Sequence, residues 1–345
     1  MATVITSAAL APADGSGSSI GHAAAAGRAC LERAGLASAD VDVLINVGVY
    51  RDSNIVEPSV AALIQKRLGI NLDYLRSPER RAAFSFDLMN GACGVLNAVQ
   101  AADALLATGG ARRVMVVCAD THPSSDASRA GTPAFPYAST GAALLLERTD
   151  DGRGFGRVHH RSLPGGHGVN GYLPLPDVGA SGRSSIVVER DGDALDRMLD
   201  LAADAVRTVL SAEDGTGDGT EDGRARLALD RTLLVTSQPS PGFAARLAKR
   251  LGLAADAAVT VEGVHGDPHT SALVHGYLQA LDTGRLAGHD QVLFLAVGAG
   301  LTSAASLYRL TAPGTDGVDG SSSGSGSGSG SDGTGTGSGD GGTVR

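Results

Sequence analysis

Short apolar runs of about strand length recur along this chain, separated by stretches that carry helix start and stop signals. In the first half they include VDVLINVGVY at residues 41–50, VMVVCA at 114–119 and GAALLLER at 141–148. Residues 233–235, 292–297 and 304–310 repeat the theme in the second half, and residues 83–88 read as a shorter strand. Continuous rather than alternating hydrophobicity marks strands buried on both faces, so helices must cover both sides of the sheet. Helical stretches fall between the strands, at residues 19–35, 58–68, 94–108, 193–210, 241–251 and 269–281. Gly35 and Gly69 supply stop signals, and Pro58 lies near the start of its helix. The expectation is an α/β protein of two halves with similar element order, although no sequence identity joins the halves.

Composition bounds the rest. From about Pro313 to Arg345 the chain is Gly, Ser, Thr and Asp, too apolar-poor to offset ordering entropy, and it reads as a disordered tail. Residues 211–224, acidic and rich in Gly, read as a mobile loop. No apolar run approaches the roughly 20 residues of a membrane span, and the first residues lack a secretory pattern; a cytoplasmic protein is expected. A net charge of −9 without a basic stripe argues against nucleic acid. The three cysteines, Cys30, Cys93 and Cys118, form neither a disulfide framework nor a metal-ligand pattern, so no metal or cofactor is expected.

The chemistry concentrates in FDLMNGACGVLNAVQAADALLATGGARRVMVVCAD, residues 86–120. Cys93 lies between a strand and a helix, flanked by Gly91 and Gly94, which permit a tight turn. A helix N-terminus stabilises a thiolate, the attacking form. Read alone, Cys93 is either such a nucleophile or a small buried side chain. Cys30 and Cys118, inside a helix and an apolar strand, read as core.

NGACG with the following helix and VMVVCAD resembles the nucleophile region of the β-ketoacyl-acyl-carrier-protein synthase III family. YASTGAALLLE (137–147), HGDPHTSA (265–272) and VGAGLTS (297–303) resemble, in order, that family's FGDGAGAAVLE strand, HGNTSA turn and FGGGFT loop. The resemblance runs from about Gly21 to Leu310. It implies a thiolase fold, two similar α/β halves layered αβαβα: residues 1–150 carrying Cys93, and residues 151–312 carrying Ser237 and His269. It also implies a homodimer, and an oxyanion hole from the backbone N–H groups of Cys93 and Gly300.

Departures from the family pattern redirect the expected chemistry. The family's PHQAN loop is VTSQPS here, placing Ser237 where the histidine stands, and the asparagine of HGNTSA becomes His269. Ser cannot serve as a base near neutral pH, whereas histidine suits general-base work; the alternative for His269 is a helix cap. Cys93, Ser237 and His269 resemble the set of ketosynthase III-like acyltransferases, with Ser237 orienting the imidazole or bridging to substrate. The donor would be an acyl carrier protein or acyl-CoA, and the acceptor a small-molecule hydroxyl or amine such as a sugar or cyclitol. No Trp is present to stack on adenine. The arginine that follows PHQAN is replaced by Gly242, with Arg246, Lys249 and Arg250 as substitutes for meeting a carrier or as a solvated face. Glu57 stands where the family places an apolar residue in the partner's acyl tunnel, which disfavours a long alkyl chain. His265, His275 and His122 rank second, with His275 packed; His159, His160 and His167 read as solvated in a linker. A decarboxylating ketosynthase and a non-catalytic thiolase-fold subunit are the competing readings.

Overall fold

The structure is a computed structural model describing residues 1–12, 17–72, 82–165, 168–174, 176, 182–214 and 231–311. The expected tail, most of the 211–224 insert and His167 lie outside the described residues. The first half runs β1 (Ala2–Leu10), α1 (Ser19–Ala34), β2 (Val43–Asn46), α2 (Val60–Leu68), β3 (Phe84–Asp87), α3 (Gly94–Ala107), β4 (Val114–Asp120) and β5 (Thr140–Thr149). Then follow β6 (Gly154–Phe155), β7 (His159–Ser162), β8 (Val169–Tyr172), β9 (Val187–Arg190), α4 (Ala194–Asp214), β10 (Thr232–Thr236), α5 (Phe243–Leu251), β11 (Ala258–Val259), α6 (Ala272–Asp282), β12 (Gln291–Gly298) and β13 (Thr302–Arg309).

The two halves share one pairing pattern. In the first, β1 lies antiparallel to β5 and β5 antiparallel to β4, while β4, β2 and β3 run parallel. In the second, β7 lies antiparallel to β13 and β13 antiparallel to β12, while β12, β10 and β11 run parallel. The small strand β6 bridges β1 and β13, so both halves join one sheet.

Hydrophobicity explains the layering. α6 buries every residue from Ala272 through Leu278, and α3 buries the face that carries Val95, Leu96, Val99 and Leu106, so both belong inside. Their side chains form one core with the inner faces of both halves, including Ile45, Leu96, Val116, Leu278, Val292 and Phe294. α1 and α2 close the outside of the first half through Leu31, Ile64 and Leu68. α4 and α5 close the second through Met198, Val206, Phe243 and Leu247. The layers therefore alternate αβαβα.

Two expectations are corrected. His159 and His160 lie in β7 rather than a linker, and His160 Nε2 bonds Gln100 Oε1 at 3.1 Å. Residues 211–214, expected to begin a loop, complete the last turn of α4. β1 went unforeseen because its Ala, Thr and Ser side chains carry little hydrophobic signal, yet its backbone is paired along most of β5.

Candidate active site

Equivalent helix entries from the two halves meet. A single tight turn, Gly91–Cys93, leads into α3, and a matching turn, His269–Ser271, leads into α6. Gly91 has φ +50°, and a Cβ built there would lie 3.3 Å from His269 Nε2. The missing side chain is what admits the imidazole to the Cys93 turn.

Cys93 is buried at 1% exposure. Its Sγ lies 3.4 Å from the Thr302 carbonyl and 3.7 Å from that of Ala296. Burial pushes its pKa up to about 12, against the Ala304 backbone, which favours the thiolate. Desolvation therefore opposes the thiolate that a helix N-terminus favours. The Cys93 N–H donates to Asn90 O at 3.0 Å.

His269 stands against the turn that bears Cys93, its Nε2 facing Gly91. Its backbone occupies the left-handed region, φ +47°, where a non-glycine side chain costs about 1–3 kcal/mol. The surroundings hold it there. The His269 N–H donates to Asp267 Oδ1 at 2.8 Å, and the ring packs on Tyr137 with centroids 4.4 Å apart. Nδ1 lies 3.1 Å from Asp120 Oδ2. Burial opposes a charged imidazole, but the Asp120 carboxylate, its hydrogen bond and Asp267 together raise the His269 pKa above the ordinary histidine value.

Asp120 is the residue that the sequence reading missed. It ends β4, is 1% exposed, and accepts from five groups. Val49 and Tyr50 N–H donate to Oδ1 at 3.0 and 2.8 Å, while Thr270 N–H, Thr270 Oγ1 and His269 Nδ1 reach Oδ2. Burial alone would raise its pKa; His269 and these donors lower it instead. A lone carboxylate closing the wholly apolar strand VMVVCAD was the available signal, because a buried charge requires partners.

Ser237 lies in the same narrow inner cleft as His269, and its side-chain hydrogen bonds are to the Val297 backbone. Its Oγ donates to Val297 O at 3.2 Å and accepts from Val297 N–H at 2.9 Å, extending the β10–β12 pairing by a side-chain clamp. Ala92, Tyr137, Asp267, Gly298 and Ala299 line the cleft with them. The cleft leaves about 10 Å³, room for little more than one water. Gly300 follows with φ +69°. Of the secondary histidines, His275 is buried against Thr140 Oγ1 at 3.0 Å, and His122 bonds Ser124 Oγ at 2.7 Å. Arg246 and Arg250 form ion pairs with Asp196 and Asp200 of α4. Glu57 is exposed on the single chain.

A family model described as 3-oxoacyl-[acyl-carrier-protein (ACP)] synthase III matches residues 86–164, spanning the Cys93 turn, α3, β4 and β5. A beta-ketoacyl-[acyl-carrier-protein] synthase III from Rhizobium rhizogenes is 28% identical over 300 residues, covering 84% of this chain and 83% of that protein. Among solved structures, the 3-oxoacyl-(acyl carrier protein) synthase III of Pseudomonas aeruginosa aligns with TM-score 0.69 at 19% identity, over 90% of this chain and 99% of that one. OleA of Xanthomonas campestris aligns with TM-score 0.67 at 19% identity, over 89% and 99%. The fold is the thiolase-like α/β fold of these structures.

Proposed function

We propose that this ketosynthase III-like transferase is an acyltransferase that passes a short or aryl acyl group through a Cys93 thioester to an alcohol or amine. The observation that carries the reading is the Asp120–His269 pair. Asp120 holds Nδ1, and Nε2 faces the turn that bears Cys93. A histidine so fixed presents an acceptor nitrogen to a nucleophile that cannot ionise unaided.

In the first step Sγ turns from the Thr302 carbonyl and attacks the donor thioester as His269 Nε2 takes the thiol proton. The Cys93–acyl bond forms, the donor's carbon–sulfur bond breaks, and the imidazolium returns the proton to the departing thiolate. In the second step the acceptor O–H or N–H gives its proton to Nε2 while its heteroatom attacks the acyl carbon. The Cys93–acyl bond breaks and the thiol is reprotonated. We assign the developing oxyanion to the N–H groups of Gly300 and of Cys93, the latter exchanging its bond to Asn90 O for the oxyanion. Ser237 shapes the cleft wall through its clamp on Val297 rather than acting on a proton. The donor is an acyl carrier protein or acyl-CoA thioester.

The active form in this reading is a homodimer. β3 pairs with β2 on one side and has no neighbour on the other among the described residues. Phe84 on it is 58% exposed, with Met89 and Val56 also exposed nearby. An apolar open edge favours pairing with a second copy. Glu57, beside Val56, then reaches the partner's acyl tunnel, where a carboxylate selects against long alkyl chains.

Condensation is the competing outcome, and malonyl carrier protein separates the two. With an acyl donor, malonyl carrier protein and a panel of alcohols and amines, transfer gives an ester or amide without carbon dioxide. Carbon dioxide release with a lengthened acyl product would overturn the assignment.

A further inference from the structure

A larger cavity of about 530 Å³, lined from both halves of the chain, adjoins the inner cleft. Arg190, Pro239 and Asp267 line both, so they stand at the boundary between them, called the neck below. Any substrate that approaches His269 by this cavity passes that neck. Thr132, Gln238, Ser240 and Thr260 give the outer cavity a neutral polar wall. Among the described lining residues Arg190 is the one arginine or lysine, and Asp267 the one carboxylic acid.

Arg190 is incompletely used by the protein. Its Nη1 donates to Pro239 O at 3.0 Å, fixing the side chain at the neck. Its Nε is buried and has no hydrogen-bond partner among the described residues. The side chain makes no ion pair there either. Burial shifts Asp267 toward its neutral form, and the Asp267 carboxylate already accepts from the His269 N–H. A desolvated guanidinium N–H without an acceptor is costly, and its planar fork suits two carboxylate oxygens.

We propose that Arg190 is a specificity-determining residue that binds a carboxylate carried by one of the substrates at the neck of the cleft. The carboxylate belongs either to the far end of the acyl group or to the acceptor. The inference rests on the acyl-transfer reading for what passes the neck, but its test requires no turnover.

The test uses full-length protein carrying Cys93→Ala, titrated calorimetrically with matched probes. In the donor arm succinyl-pantetheine is compared with butyryl-pantetheine, which lacks only the carboxylate. In the acceptor arm 3-hydroxypropionate is compared with 3-hydroxypropionamide. The carboxylate member of one pair is expected to bind at least about tenfold more tightly. That advantage should vanish in Arg190→Met and persist in part in Arg190→Lys, while the neutral probe binds all three proteins alike and reports their folding. Equal binding within both pairs overturns the proposal, as does a carboxylate preference that survives Arg190→Met. Because binding is read without acyl-enzyme formation, a failure of the acyl-transfer reading would appear separately, as unmodified Cys93 in the wild-type protein.

Discussion

Asp120 spends all its acceptor capacity at one point, and the choice of donors decides what His269 can do. Asn at this position would set an NH₂ group against N–H donors on one side or the other. Satisfying Val49 and Tyr50 would leave the amide donating toward His269 Nδ1, which turns the proton onto Nε2 and removes the base. Asp120→Asn is therefore expected to slow acyl transfer by about 10²–10⁴-fold, read as the single-turnover rate of Cys93 acylation. The pH profile carries the sign. His269 must be neutral to accept a proton, and its pKa is raised in the fold. Acylation should therefore rise with pH through a midpoint above the ordinary histidine value of about 6.5. Without the Asp120 carboxylate, burial and Arg190 pull downward, and Asp267 alone pulls upward. The midpoint of any residual activity in Asp120→Asn should fall; a midpoint that stays or rises would remove Asp120 from this role. At this scale Cys93 and His269 could be singled out from the sequence, because each lies in a short local pattern. Asp120 could not, since its His269 and Thr270 partners stand 149 and 150 positions away along the chain, and the bonding of Ser237 to the Val297 backbone, 60 positions away, was equally out of reach.

Elements convert those residues into a site. The Gly91 turn works by lacking a Cβ, so Gly91→Ala should both strain a left-handed backbone and displace the imidazole. We expect a stability loss above about 1 kcal/mol, measured by denaturant unfolding. Acylation should fall further than a matched loss at a distant site would explain. The open edge of β3 makes a separate prediction. Phe84→Lys places a charge on the exposed face of that edge and should shift the protein toward monomer, followed by light scattering. An unchanged mass would remove β3 from the interface. The continuous apolar runs announced β4, β10 and β12, and glycine stops located the ends of α1 and α2. The hairpin of β8 and β9 was missed because its Gly and polar side chains leave it without a buried-strand signature.

The whole molecule is a doubled unit whose halves share a pairing pattern and meet through α3 and α6. That arrangement explains why Cys93 from one half and His269 from the other stand at equivalent helix entries. It also makes the central layer the place where stability and chemistry are coupled. Leu96→Ala, at a fully buried position in α3, should cost about 2–5 kcal/mol in chemical denaturation and slow acylation through the displaced turn. The account's central claim is a covalent acyl-enzyme on Cys93 served by the Asp120–His269 pair. Intact-protein mass spectrometry after mixing with an acyl thioester, then with an alcohol or amine, tests it directly. We predict a single acyl adduct on the wild-type protein, absent in Cys93→Ala, strongly delayed in Asp120→Asn, and cleared only when the acceptor is added. An adduct that persists in Cys93→Ala, or one formed by Asp120→Asn at the wild-type rate, would contradict it.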